Sequence, residues 1–194
     1  MIKGIIFDFD GTLVPSNEIK TKIFIDFFSQ LISDKLLVTK LVTERQLNRY
    51  EIFDKIVKFT GSEGKDKTGF FNALDFQLEN AICTMPEKNG VTKLFSALKS
   101  NNYGTFLNSA TPLATLEKII ACRKWSTYFD LINGAPVKKS DFISDVLRLG
   151  YSNNELLVFG DGSDDEDAAK VHRIEFLSAS SDDAIYHLIK KLEI

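Results

Sequence analysis

Two carboxylates stand one residue apart where an apolar run ends. In "IIFDFDGTLV" (residues 5–14), Ile5, Ile6 and Phe7 read as a buried strand, and Asp8, Asp10 and Gly11 close it. Side chains two positions apart share a strand face, so both acids address the same small volume. A second acidic group, "GDGSDDED" (160–167), ends the apolar run "ELLVF". Carboxylates gathered in this way repel one another and raise their own pKa values. A divalent cation relieves that conflict, and hard oxygen donors with room for water suit Mg²⁺. Ser109 closes "YGTFLNS", and Lys138 and Lys139 follow "FDLINGAPV". A hydroxyl and an ammonium of this kind bind phosphoryl oxygens and offset the charge that develops on them. A carboxylate is a competent nucleophile towards phosphorus, and a second acid beside it can move the proton.

These groups need elements that bring them to one edge. "KGIIFDF" (3–9) is a near-continuous apolar run, the pattern of a strand buried on both faces of a parallel sheet. Between residues 16 and about 85 no strand is predicted. Helices are predicted over 17–32, 43–59 (begun by Thr43 with Gln46 three residues on) and 70–82. After Pro86, strands at 103–109, 129–134, 155–160 and 174–179 alternate with helices at 91–101, 112–125, 140–150, about 164–171 and 182–192. Pro112 is placed in the first turn of its helix, where its missing N–H costs nothing. Strands separated by helices pair in parallel. The fold class is therefore α/β, with a Rossmann-like parallel sheet made of 1–15 and 86–194. An all-α domain, 16–85, is inserted after the first strand. Sites in open α/β sheets form beyond the carboxyl ends of the strands, which is where the acids, Ser109 and the lysines fall.

Composition narrows the partners. The chain has 194 residues, 44% of them hydrophobic, enough for one core with a smaller insertion. Its net charge of −3 and the absence of a long basic run argue against nucleic acid and anionic membranes. No apolar stretch approaches the roughly 20 residues of a membrane span, and the N-terminus does not read as a signal peptide. A soluble cytoplasmic protein is expected. Cys83 and Cys122 lack metal or disulfide-framework spacing and are expected as reduced, buried thiols.

The chain resembles the haloacid dehalogenase-like superfamily of phosphatases through four motifs in order. "DFDGT" (8–12) matches the first, which implies Asp8 as nucleophile at the metal and Asp10 as general acid/base with its backbone carbonyl also on the Mg²⁺, and places Thr12 in the phosphate-binding set. Ser109 matches the second. The third-motif lysine is carried over to Lys139, five residues after Gly134, with Lys138 as the neighbouring alternative. "GDGSDDEDAA" matches the fourth, implying Asp161 and Asp165 at the Mg²⁺, with Asp164 the near miss. The helical insertion resembles the caps of phosphoglycolate phosphatase-like and β-phosphoglucomutase-like members. Pro15 departs from the Asp that many relatives carry there, and the "SDDED" run is unusually acidic. The resemblance implies a Mg²⁺-dependent phosphatase acting through an aspartyl-phosphate on a small phosphorylated metabolite, a sugar phosphate or small organic-acid phosphate. A phosphomutase keeps the same motifs and stays open. So does a non-catalytic phosphate-binding module on the same fold, which the retention of Asp8 and Asp10 disfavours.

Other residues carry competing readings. Arg49, beside Tyr50 in the insertion, resembles a substrate-facing arginine of sugar-phosphate relatives, because an arginine binds phosphate or carboxylate with two hydrogen bonds. A helix-surface pair with Glu51 or Asp54 is the favoured alternative. Asp164, Glu166 and Asp167 suit the first turn of a helix, where the macrodipole favours acids. Phe24, Phe27, Phe28, Phe53, Phe59, Phe70 and Phe71 are expected in packing roles, and His172 and His187 at the surface.

Overall fold

A computed structural model describes residues 1–44, 47–62 and 64–194. The chain divides into two compact units, one of Met1–Pro15 with Ile82–Ile194 and one of Ser16–Ala81.

The first unit is built on a five-stranded sheet in the order β3-β2-β1-β4-β5, with every pairing parallel. Its strands are β1 (Gly4–Phe7), β2 (Gly104–Pro112), β3 (Leu131–Ala135), β4 (Leu156–Gly160) and β5 (Glu175–Ser178). β1 lies at the centre and is buried throughout, as is β4, which explains their unbroken apolar runs. β5, at the edge, is half-buried at Phe176 and Leu177 and exposed at both ends.

Alternation along β1 supplies both faces of the core. Ile6 pairs in register with Phe106 and Val158. These three join Phe142, Ile143 and Val146 of α7 (Lys139–Arg148) and Ala168 and Ala169 of α8 (Ser163–His172) in one buried cluster. Phe7 points the other way. Its ring meets Phe159 edge-on at 5.9 Å and Phe95 of α5 (Val91–Ser100) at 5.8 Å, and Phe95 in turn meets Trp125 at 5.4 Å. Burying a side chain of this size is worth about 1.5–3 kcal/mol. The remaining helices of this unit are α6 (Leu113–Cys122) and α9 (Ala184–Leu192).

The second unit contains α1 (Asn17–Phe28), α2 (Lys35–Thr43), α3 (Arg49–Thr60) and most of α4 (Lys67–Cys83). An aromatic cluster gathers around the half-buried Phe70, whose ring lies 5.7 Å from Phe27, 5.4 Å from Phe28 and 5.1 Å from Phe53. Phe59 departs from its expected packing role and is 73% exposed.

Several expectations require correction. Thr43 does not begin a helix. It ends α2, with its hydroxyl bonded back to the Thr39 carbonyl at 2.8 Å, and its expected partner Gln46 lies outside the described residues. The helix that follows is capped by Asn48, whose side chain accepts from the Glu51 amide while Glu51 accepts from the Asn48 amide. The local S/T-x-x-Q match was outcompeted by an equally local Asn-x-x-Glu box five residues on. α2 itself was not expected; its β-branched residues hide a helical stripe in which Val38, Leu41 and Val42 are buried. Pro112 is the last residue of β2 and the N-cap of α6, one place before the first turn. Cys83 and Cys122 are not separate buried thiols. They are joined in a disulfide with Cα atoms 5.9 Å apart, Cys83 half-buried and Cys122 exposed. Each is the last residue of its helix, α4 and α6, and only the meeting of those helix ends brings them together.

Candidate active site

The carboxyl ends of β1 and β4 lie side by side, because Phe7 pairs with Phe159 and the Asp8 amide donates to the Phe159 carbonyl at 2.9 Å. Asp8 therefore leaves β1 next to the "GDG" turn. Beyond Asp10 the chain turns through Gly11, whose φ of +77° is a left-handed conformation that glycine adopts without a Cβ penalty. That turn returns Thr12 to Asp8. The Thr12 hydroxyl lies 3.1 Å from Asp8 Oδ2 and 3.1 Å from Asp161 Oδ1, and its single proton serves one carboxylate at a time.

Asp165 reaches the same point from the first turn of α8. Its Oδ2 accepts from the Gly162 amide at 3.2 Å. Gly160 is required by close approach, since a Cβ there would stand 2.4 Å from the Asp165 carboxyl carbon. The carboxylate oxygens of Asp8, Asp161 and Asp165 lie within 4.8 Å of one another. Three converging hard oxygen donors fit a hard divalent cation.

Lys139, the first residue of α7, closes the cluster. Its Nζ donates to Asp8 Oδ1 at 2.9 Å and Asp165 Oδ1 at 2.6 Å, and lies 2.9 Å from Asp164 Oδ2. Of the two adjacent lysines, Lys139 is thus the one whose ammonium meets the acids, while Lys138 is the N-cap of α7. Burial pushes the Asp8 carboxyl up to about 8, with Lys139 pulling it down and Asp165 and Asp10 adding to the rise. Burial likewise pushes Asp165 up to about 6 against the pull of Lys139. Burial works against the Lys139 ammonium too, but Asp8, Asp165 and Asp164 outweigh it and hold its pKa above the ordinary lysine range. Asp164 remains 59% exposed, in keeping with a helix-start acid.

Asp10 and Ser109 belong to a neighbouring arrangement. Asp10 Oδ2 accepts from the Thr111 hydroxyl at 2.8 Å, and the Thr111 amide donates to Ser109 Oγ at 3.1 Å. Ser109 is buried in β2, two residues past the Leu107 that pairs with Phe7. The Asp10 side chain stands outside the three-acid group and turns to Thr111. Sequence reasoning missed Thr111. It also missed Asn108 and Asn133, which are 3% and 5% exposed. Their signal was available, because each is a carboxamide inside an otherwise apolar strand, and buried polar groups must find partners.

Arg49 belongs to the Ser16–Ala81 unit. Its guanidinium forms a two-pronged pair with Asp75, with Nη2 2.9 Å from Oδ2, and lies 5.0 Å from the ring centres of both Tyr50 and Phe71. The helix-surface pairing with Glu51 or Asp54 does not form; Glu51 caps α3 and Asp54 pairs with Lys67 at 2.6 Å. His172 is half-buried, with Nε2 2.8 Å from the Ser140 carbonyl, and His187 is exposed.

A parallel sheet with acids gathered at the carboxyl ends of adjacent strands defines an α/β enzyme class with its chemistry at that edge. The chain belongs to the haloacid dehalogenase-like hydrolase family, whose model matches residues 2–173. The magnesium-bound YfnB of Bacillus subtilis shares the fold, with a TM-score of 0.72 at 13% identity over 100% of this chain and 99% of its own. CbbY from Rhodobacter sphaeroides, in complex with xylulose-1,5-bisphosphate, gives 0.70 at 18% identity over 92% and 86%. A haloacid dehalogenase-like family hydrolase from Streptococcus pneumoniae gives 0.64 at 20% identity over 91% and 84%. No curated protein matches the chain in sequence. Among the described residues, no helix is long and apolar enough to cross a membrane.

Proposed function

We propose that the protein is a Mg²⁺-dependent phosphatase of small phosphomonoesters that works through an aspartyl-phosphate on Asp8. The observation that carries this reading is the setting of one carboxylate. Asp8 lies between the Lys139 ammonium and the Thr12 hydroxyl, with Asp161 and Asp165 within reach of a shared cation.

A carboxylate oxygen of Asp8 attacks phosphorus, and the bond from phosphorus to the leaving oxygen breaks. The Asp10 carboxyl gives its proton to that oxygen, so the alcohol departs neutral. In the second half, Asp10 takes a proton from water, whose oxygen attacks phosphorus and releases phosphate and the free Asp8 carboxylate. Thr111 holds the Asp10 carboxyl through its hydroxyl bond. Lys139 and Ser109 bind the phosphoryl oxygens, the lysine countering charge as it builds. When bound by Asp8, Asp161 and Asp165, Mg²⁺ supplies the positive charge that lets an anionic nucleophile approach an anionic phosphate.

The Ser16–Ala81 unit is read as the helical cap that favours a small phosphorylated metabolite, a sugar phosphate or organic-acid phosphate, in a cytoplasmic setting. The test is phosphate release from a panel of small phosphomonoesters with and without Mg²⁺, with Asp8→Asn in parallel. Release that requires both Mg²⁺ and Asp8 supports the reading. A folded, Mg²⁺-binding protein that releases phosphate from none of the panel overturns it.

A further inference from the structure

Asn108 and Asn133 face each other across β2 and β3, in register, with the Asn133 amide donating to Asn108 Oδ1 at 2.8 Å. Asn108 Nδ2 then donates to the main-chain carbonyl of Lys139 at 3.0 Å. We propose that Asn108 and Asn133 are positioning residues: a buried carboxamide relay that sets the main chain of Lys139 and so aims its ammonium at Asp8 and Asp165. The lysine's part in catalysis rests on the phosphatase reading above; its positioning does not.

Three features support the relay. Both side chains are buried, at 3% and 5% exposure, where an amide without partners is costly, so their mutual bond is constrained. α7 begins without a side-chain cap on its first amides, which leaves its starting point to be set by contacts such as the one from Asn108. Neighbouring residues of a strand project to opposite faces. Asn108 and Ser109 can therefore serve two groups from adjacent positions of β2, and any shift of that strand end moves Ser109 and Lys139 together. A lysine ammonium on a long, flexible stem has no directional preference of its own, so its aim depends on where its backbone is held.

Asn108→Leu removes both bonds at nearly constant shape. The Asn108→Leu/Asn133→Leu pair leaves no carboxamide unpartnered and guards against a simple folding failure. The first readout is the rate of reductive methylation of Lys139 relative to the other lysines, followed by mass spectrometry on the full-length protein. The Lys139 side chain is 11% exposed and its ammonium is held by carboxylates, so its methylation is slow in the parent protein. Either variant is expected to raise it severalfold while the other lysines keep their rates. The second readout is Mg²⁺-dependent turnover of p-nitrophenyl phosphate, expected to fall about 10-fold, as for removal of other orienting partners. That fall should vanish in a Lys139→Ala background. Unchanged Lys139 labelling, a uniform rise at every lysine, or an equal fall with and without Lys139 would overturn the relay. If the parent protein turns over no phosphomonoester, the phosphatase reading fails while the labelling still decides the positioning.

Discussion

The Nζ of Lys139 lies 2.9 Å from Asp8 Oδ1, across 131 residues of sequence. It is also 2.6 Å from Asp165 Oδ1. One cation thus neutralises two buried acids, one just past the end of β1 and one in the first turn of α8, and its removal bears on stability and chemistry together.

Lys139→Ala is expected to lower kcat by about 10²–10³-fold, the range for deleting one group that stabilises transition-state charge. In metal-free buffer near pH 7.5 it should also destabilise the fold by about 3–5 kcal/mol, because Asp8 and Asp165 are left buried without a partner. Thermal melts check the second effect. The loss should shrink at pH 5, where the orphaned carboxyls take up protons instead; a loss of equal size at both pH values would contradict this account.

Asp8→Asn is nearly isosteric and removes a charge that burial disfavours. Phosphate release should fall by at least about 10³-fold, since the nucleophile is gone. The melting temperature of the metal-free protein should hold or rise. A variant that melts well below the parent would mean that the Lys139 pair stabilises the fold more than burial of the Asp8 charge costs it.

The cation and the proton compete for the same acids. Asp8 and Asp165 sit at about 8 and about 6, above the ordinary aspartate value. For groups raised in this direction, the stability tied to the protonated form is complete below about pH 4 and is lost as pH rises through the folded values. The metal-free protein should accordingly lose stability between about pH 4 and 8 from these two groups. Mg²⁺ should raise the melting temperature more at pH 8 than at pH 5, and a chelator should reverse the gain. An equal effect of Mg²⁺ at both pH values would count against binding by these carboxylates.

Arg49 offers a contrast between binding and packing. Its pair with Asp75 and its stacking on Tyr50 and Phe71 make it part of the helical unit's own structure. Arg49→Ala and Asp75→Ala should each cost about 1–3 kcal/mol, as expected for a hydrogen-bonded charged group losing its partner. A double-mutant cycle should show strong coupling between them. If Arg49→Ala instead raised KM without moving the melting temperature, its role would be substrate binding alone.

Much of this arrangement was legible in the residues. A strand buried on both faces must be apolar along its whole length, so β1 and β4 announced themselves as runs. Acids placed at the ends of such runs are costly unless shared, which marked Asp8, Asp10 and the 160–167 run, and the motif resemblance singled out Asp161 and Asp165 within that run. Asp8, Asp161 and Asp165 do lie together. Helix boundaries were less legible, because several local capping patterns compete and packing chooses among them. Thr43 and Asn48 illustrate that choice.

Sequence alone determined what can be read from short-range chemistry: the parallel α/β order, the helical insertion, and the residue types at the strand ends. Tertiary structure decided the pairings across long separations. It chose Lys139 over Lys138, turned Asp10 to Thr111, gave Arg49 to Asp75, joined Cys83 to Cys122, and set Asn108 against Asn133 beneath the lysine. The physical reason is that local pattern constrains backbone state and burial. Which donor meets which acceptor depends instead on sheet order and helix docking, and neither is encoded within a few residues of the groups that meet.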